Sequence, residues 1–181
     1  TVITAAKLGA KAHGIEFNPD MVELSKRNAA KEGVGDKATF VQGDIFESDF
    51  SQATVVTLFL LSGLNLKLRP ILLDMKPGTR VVSNTFDMGE WTPDDSVNAG
   101  EGCTAHCRAM FWMVPAKVEG TWKTGDGELT LKQQFQVVTG TLTWDTRLIT
   151  MFGYDAETFD QSIEAFNARL HPDDLRRVTD L

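Results

Sequence analysis

The sequence predicts an α/β fold built on a doubly wound, largely parallel sheet, and three observations carry that expectation. Short apolar strands alternate with stretches of helical period through roughly the first half of the chain, the order that βαβ units produce. Residues 54–61 form an unbroken apolar run rich in β-branched side chains, as expected of a central strand buried on both faces. Two successive strands each run out into an acidic side chain, at Glu16 and at Asp44.

The elements follow in order. Residues 1–8 are small and apolar and read as the last turns of a helix that stops at Gly9. Thr1 is not a start methionine, so the sequence is expected to continue upstream. Residues 11–16 form a short strand. Asn18 is suited to cap the next helix, Pro19 to occupy its first position, and Asp20 to complement its dipole. Met21, Leu24, Ser25 and Asn28 follow at helical spacing, and Gly33 is a natural stop. Residues 38–42 alternate like a strand, and the helix expected after Gly43-Asp44 is poorly marked. Residues 64–75 regain helical period through Leu64, Leu68, Ile71 and Leu72, with Pro70 predicting a helix start or a kink. Lys76-Pro77-Gly78 is a turn leading to a strand at 79–83.

The pattern changes after Trp91. Residues 92–102 read as a polar loop, followed by short strands at 108–114, 117–122, 128–135 and 137–143, with Gly125-Asp126-Gly127 as a hairpin signal. It changes again at Trp144-Asp145. Helices are expected at 147–152, ending at Gly153, and at 163–170, with a third beginning at His171-Pro172-Asp173-Asp174. The division expected is therefore 1–100, 101–143 and 144–181.

Composition narrows the partners. The chain has 181 residues and a net charge of −7, which disfavours the counterion-releasing contacts that hold nucleic acid. A basic protein is a more compatible partner. No apolar run reaches the roughly 18 residues that span a bilayer, so no membrane partner is expected. Cys103, His106 and Cys107 could supply three zinc ligands, but the Cys-x3-Cys spacing is loose and no second ligand pair follows. They are read as ordinary thiols in or beside a strand, with no metal.

The chemistry centres on strand ends. A carboxylate at Glu16 can accept hydrogen bonds from ribose hydroxyls, and one at Asp44 from an adenine amine. Asn18 and Gly43 shape those two exits, while Ile45 and Phe46 can cover the ring faces. In doubly wound sheets ligands sit beyond the carboxyl ends of the strands. The loop Leu60-Leu61-Ser62-Gly63-Leu64-Asn65 therefore belongs near the reacting group, with Ser62 or Asn65 orienting an incoming nucleophile. After the next strand, Phe86 and Trp91 can wall a channel for a lysine stem and Asp87 can attract its ammonium. Each of these residues also has an ordinary structural role open to it: a cap, a turn or a core contact, a surface place for Asn65, and for Trp91 an edge aromatic packed on the β appendage.

Gly14-Ile15-Glu16-Phe17-Asn18-Pro19, Gly43-Asp44-Ile45-Phe46 and Leu73-Asp74-Met75-Lys76-Pro77-Gly78-Thr79-Arg80-Val81-Val82-Ser83 resemble class I S-adenosylmethionine-dependent methyltransferases. Residues 58–83 and 87–91 are similar to the branch holding the non-SET histone lysine methyltransferases and their mitochondrial relatives. The β-rich part up to Thr143 resembles the bacterial members. The resemblance implies a Rossmann-like doubly wound sheet lacking its first strand, with an antiparallel β-rich extension and a short helical tail. It implies S-adenosylmethionine as cofactor, Glu16 on ribose, Asp44 near adenine, and the loop after residues 57–61 at the methyl site. The family's Asp-x-Gly-x-Gly-x-Gly-type loop is not in the sequence, so weak or no cofactor binding is expected of this chain. The Asn-Pro-Pro-Tyr-type motif is also absent, and the acceptor is expected to be a protein or small-molecule amine, with a lysine favoured.

Trp144-Asp145, Phe152-Gly153-Tyr154-Asp155 and His171-Pro172-Asp173-Asp174 resemble the opening of a PAS sensor domain. Two other functions stay open: a sensory module built on that tail, and a nucleotide-binding oxidoreductase. The setting expected is cytoplasmic.

Overall fold

A computed structural model describes residues 1–124, 127–144, 146–151, 155 and 157–159. They fall into two compact units, 1–114 and 115–181. The break comes at Val114 rather than near residue 100, because the strand at 108–113 is hydrogen-bonded into the sheet of the first unit.

The first unit opens with α1 (Val2–Lys7), β1 (Ala12–Glu16), α2 (Pro19–Lys31) and β2 (Ala38–Gln42). Helix α2 begins as its sequence dictates: the Asn18 side chain accepts from the Asp20 N–H at 2.9 Å and Pro19 follows. Strands β1 and β2 pair in parallel, Ala12 opposite Ala38 and Glu16 opposite Gln42. Their core is small: Ala6, Ala29, Val34 and Ala38 are buried, with Val2, Ile3, Ala12 and Phe40 packed around them. Gly14 lets Phe40 cross the strand, since a Cβ there would lie 2.7 Å from Phe40 Cδ1.

The second part of the unit contains β3 (Val55–Leu58), α3 (Ser62–Leu73), β4 (Arg80–Asn84), β5 (Asp95–Asn98) and β6 (Arg108–Met113). The strand order is β3-β4-β6-β5, with β3 and β4 parallel and β6 antiparallel to both β4 and β5. Its core is large. Leu68, Leu72, Val81, Met88, Trp91 and Trp112 are all sealed from solvent, and the two indoles lie 6.1 Å apart with Trp112 Nε1 donating to the Trp91 carbonyl at 2.7 Å.

Several expectations are corrected here. The parallel strands form two separate sheets, β1-β2 and β3-β4-β6-β5, not one doubly wound sheet, because no strand bridges β1 and β3 among the described residues. Helix α3 starts at Ser62 and runs through Pro70 rather than beginning there. The segment expected as a polar loop at 92–102 contains β5, drawn into the sheet by pairing with β6 despite its polar sequence. Cys103 and Cys107 are joined in a disulfide, not free thiols. The loop turns back on itself, Ala99 N–H to Cys107 carbonyl at 2.6 Å, and brings their Cα atoms to 5.8 Å, within bridging range.

The second unit is an antiparallel meander of β7 (Gly120–Thr124), β8 (Gly127–Gln134) and β9 (Val137–Trp144), followed by α4 (Thr146–Met151). Strand β7 begins three residues later than the pattern at 117–122 suggested. The hairpin residues Gly125-Asp126, the helix expected at 163–170 and the His171-Pro172-Asp173-Asp174 stretch lie outside the described residues.

Candidate functional site

Two parallel pairs present their carboxyl ends, and most of the residues singled out in the sequence lie there. At the first pair the exits are neighbours: the Gly43 N–H donates to the Glu16 carbonyl at 3.0 Å. Glu16 and Asp44 therefore leave adjacent strands at the same end. Each carboxylate is oriented by its own chain. Glu16 Oε1 accepts from the Asn18 N–H at 2.8 Å, and Asp44 Oδ1 accepts from the Phe46 N–H at 2.9 Å, an Asx turn. Gly43 sits under that turn, where a Cβ would come within 3.1 Å of Ser48 Oγ, itself donating to the Asp44 carbonyl at 2.6 Å. Ile45 and Phe46 are half-buried. The face of Phe46 carries an ammonium, Lys67 Nζ lying 4.0 Å from the ring centroid. That contact ties the Asp44 turn to α3 of the other sheet.

At the second pair, Ser62 opens α3 half-buried and Asp87 is exposed, its Oδ1 accepting from the Gly89 N–H at 3.0 Å. Asn65 and Trp91 are placed otherwise than expected. Asn65 is fully buried, so it cannot meet a nucleophile directly. Its Nδ2 lies 3.2 Å from Ser83 Oγ, 3.0 Å from the Phe86 carbonyl and 3.2 Å from the Asp87 carbonyl. Its Oδ1 has no hydrogen-bond partner among the described residues. Three oxygens around one amide demand the NH2 end, which fixes its orientation chemically. Asn65 is a bracket that holds the 86–87 loop. Trp91 is likewise fully buried and packs against Trp112, so it is core rather than a channel wall. The ordinary roles open to them in the sequence, a surface Asn and an edge aromatic packed on the β appendage, are excluded by the same burial.

The sequence missed Phe59 and His106 as ring partners. Phe59 lies inside the apolar run at 54–61 and read as a buried strand residue, yet it is 61% exposed just past the end of β3. With Phe86 and His106 it forms a ring cluster, with centroids 5.0 to 6.0 Å apart. No sequence pattern marks His106 for this place, because a disulfide loop brings it there.

A separate open cleft of about 500 Å³ lies against Ser48, Asp49, Phe50, Ser51, Pro70, Ile71, Asp74 and Met75 and includes none of the expected site residues. Hydrogen bonds from Ser51, chiefly its N–H, hold the exposed Asp49 carboxyl below its ordinary pKa.

Comparison with known proteins fits this layout. Residues 1–95 match the family described as the ANTKMT methyltransferase domain. A protein-lysine N-methyltransferase of Saccharolobus islandicus (strain REY15A) is 43% identical over 113 residues, covering 61% of this chain and 70% of that protein. A lysine N-methyltransferase of Rattus norvegicus, named for an ATP synthase component, is 35% identical over 100 residues, covering 55% of this chain and 46% of the relative. Its Homo sapiens counterpart is 36% identical over 100 residues, with 55% and 43% covered. The chain thus spans less than half the length of these mammalian relatives. A solved structure, an RNA methyltransferase from Salinibacter ruber in complex with S-adenosyl-L-homocysteine, is 47% identical with a TM-score of 0.59, covering 65% of this chain and 74% of that one.

Proposed function

Because the chain belongs to the ANTKMT methyltransferase domain family, we propose that it is the catalytic part of an S-adenosylmethionine-dependent enzyme that methylates a protein lysine amine. The observation that carries the reading is the Gly43 to Glu16 hydrogen bond, which puts two oriented carboxylates at adjacent strand exits.

The residues fit the cofactor. When bound, S-adenosylmethionine supplies a methyl group already activated on a sulfonium. Glu16 accepts hydrogen bonds from the ribose hydroxyls, in a position set by Asn18. Asp44 accepts from the exocyclic amine of adenine, while Ile45 and Phe46 cover the ring above Gly43. At the acceptor side Asp87 attracts the lysine ammonium and Ser62 orients the amine once it has lost its proton. Asn65 fixes the loop that bears Asp87. The ammonium gives its proton to solvent water before transfer, so no protein base is assigned, and alignment supplies most of the barrier reduction in such a displacement.

The finer reading is that the two sheets of the first unit are parts of one Rossmann-like sheet that lacks a strand between β1 and β3. It is supported by each of those strands pairing on one edge only among the described residues. With the Asp-x-Gly-x-Gly-x-Gly-type loop not in this sequence either, this chain should bind the cofactor weakly. Calorimetry with S-adenosylhomocysteine checks this, and micromolar affinity, about −8 kcal/mol, overturns it.

Lysine is preferred to RNA as acceptor because a chain of net charge −7 repels a phosphate backbone. Incubating a version extended to the length of its relatives with radiolabelled cofactor, protein and RNA tests the choice. Label in protein lysine is expected, and label in RNA overturns it.

The segment from Trp144 is proposed as a PAS-like start, carried by sequence motifs alone. If a C-terminally extended chain yields no protease-resistant unit there, that reading falls.

A further inference from the structure

We propose that Phe59, Phe86 and His106 form the wall that receives the alkylammonium of the acceptor lysine. The inference rests on the lysine reading above and names residues for its substrate side.

The three rings meet at the carboxyl ends of β3 and β4, the end where ligands sit on a parallel sheet. Phe59 and His106 are edge-on, 5.0 Å apart at 89°, and Phe86 lies 5.9 Å from Phe59 and 6.0 Å from His106. Such a cluster normally turns inward and becomes core. This one does not: Phe59 is 61% exposed and His106 is exposed. Exposed π-faces, with the exposed Asp87 next to Phe86 in the chain, have the chemistry to hold a cation on a methylene stem.

The cluster is also held in place from three sides. Asn65 grips the carbonyls of Phe86 and Asp87 from the core, and Ser83 Oγ donates to the Phe86 carbonyl at 2.6 Å. Thr85 has a φ of +71°, and the Phe86 N–H reaches the Asn84 carbonyl at 2.9 Å, a γ-turn on a β-branched residue. His106 has a φ of +55° inside the loop closed by the Cys103–Cys107 disulfide. Two unusual backbone positions thus aim two of the three rings. A loop that served only to cover apolar surface would need neither.

The test uses the 181-residue chain without cofactor. NMR signals of the Phe and His rings are followed while Nα-acetyl-lysine methylamide is added, and separately the norleucine analogue, which keeps the stem and lacks the ammonium. The lysine probe should shift the signals of Phe59, Phe86 and His106 and bind about threefold or more tighter than the norleucine probe. Phe59→Leu/His106→Leu should abolish that preference. Both positions are exposed, and His106→Leu alone serves if the double variant fails to fold. Equal affinity for the two probes, shifts centred elsewhere, or a preference that survives the substitutions each overturns the proposal. Absence of label from protein lysine in the extended version would count against the acceptor reading alone, because no methyl transfer enters this titration.

Discussion

The two parallel strand pairs of the first unit use their carboxyl ends in opposite ways. The β1-β2 pair holds its two exit carboxylates by contacts two residues along the chain: Asn18 N–H to Glu16, Phe46 N–H to Asp44. No residue of β1 is buried. The β3-β4 pair holds its loop from inside, through Asn65, Ser83 and a core of two indoles. One end is built from local turns on a thin support, the other from tertiary packing. Local turns survive substitution in the core, whereas a bracketed loop does not.

The largest effect should come from breaking that packing. Trp112→Ala removes a sealed indole and its bond to the Trp91 carbonyl, and should cost about 3–5 kcal/mol in denaturant unfolding. Phe17→Ala, on the β1 side and 75% exposed, should change stability by less than about 0.5 kcal/mol. Equal effects would erase the contrast between the two ends.

Next is the bracket itself. Asn65→Asp puts an acceptor against the Phe86 and Asp87 carbonyls and Ser83 Oγ, and should cost about 3 kcal/mol at neutral pH. A carboxyl forced among oxygens is expected to have its folded-state pKa raised. The penalty should therefore shrink as pH falls and the group regains a donor proton. Urea unfolding midpoints at pH 7 and pH 5 check the sign. A penalty that grows on acidification would mean that the amide does not serve as a donor here.

The same contrast explains what the sequence discloses. The Glu16 and Asp44 turns were legible because their determinants are adjacent residues: Asn18-Pro19 caps a helix, and an Asx turn needs only Asp44 and Phe46. Parallel β1-β2 pairing followed from two short strands around a capped helix. Asn65, Trp91, Phe59 and His106 were misjudged or missed for one reason. Their environments depend on residues 18 to 47 positions away, as Asn65 on Ser83, Trp91 on Trp112 and Phe59 on His106 do. Strand β5, with all four residues exposed, has no apolar alternation to show and exists through its bonds to β6. The disulfide required a loop closure that spacing alone does not specify.

A third prediction acts on the locally built end. Glu16→Gln or Asp44→Asn, in a version extended to bind the cofactor, should weaken S-adenosylhomocysteine binding about tenfold, close to the worth of a hydrogen bond to a charged acceptor. Melting temperature should stay within about 2 °C, because neither carboxylate is buried in the core. A large drop in melting temperature with unchanged affinity would reverse the assignment of these two groups.

The smallest effect concerns the surface of α2, whose Glu23 and Lys26 pair at 2.8 Å with both side chains at least half exposed. The Lys26 ammonium, through its hydrogen bond and then its charge, holds the Glu23 carboxyl below the ordinary glutamate value. A lowered folded-state pKa contributes stability above the unfolded value and loses it as pH drops through the folded one. Glu23→Gln should therefore lower the melting temperature marginally at pH 7, with the difference vanishing below about pH 4. Because solvent screens the pair, salt should remove the difference at any pH. A salt-resistant loss would show that this helix contributes to the thin β1-β2 support through Glu23, and would move α2 from the locally built side of the contrast to the packed one.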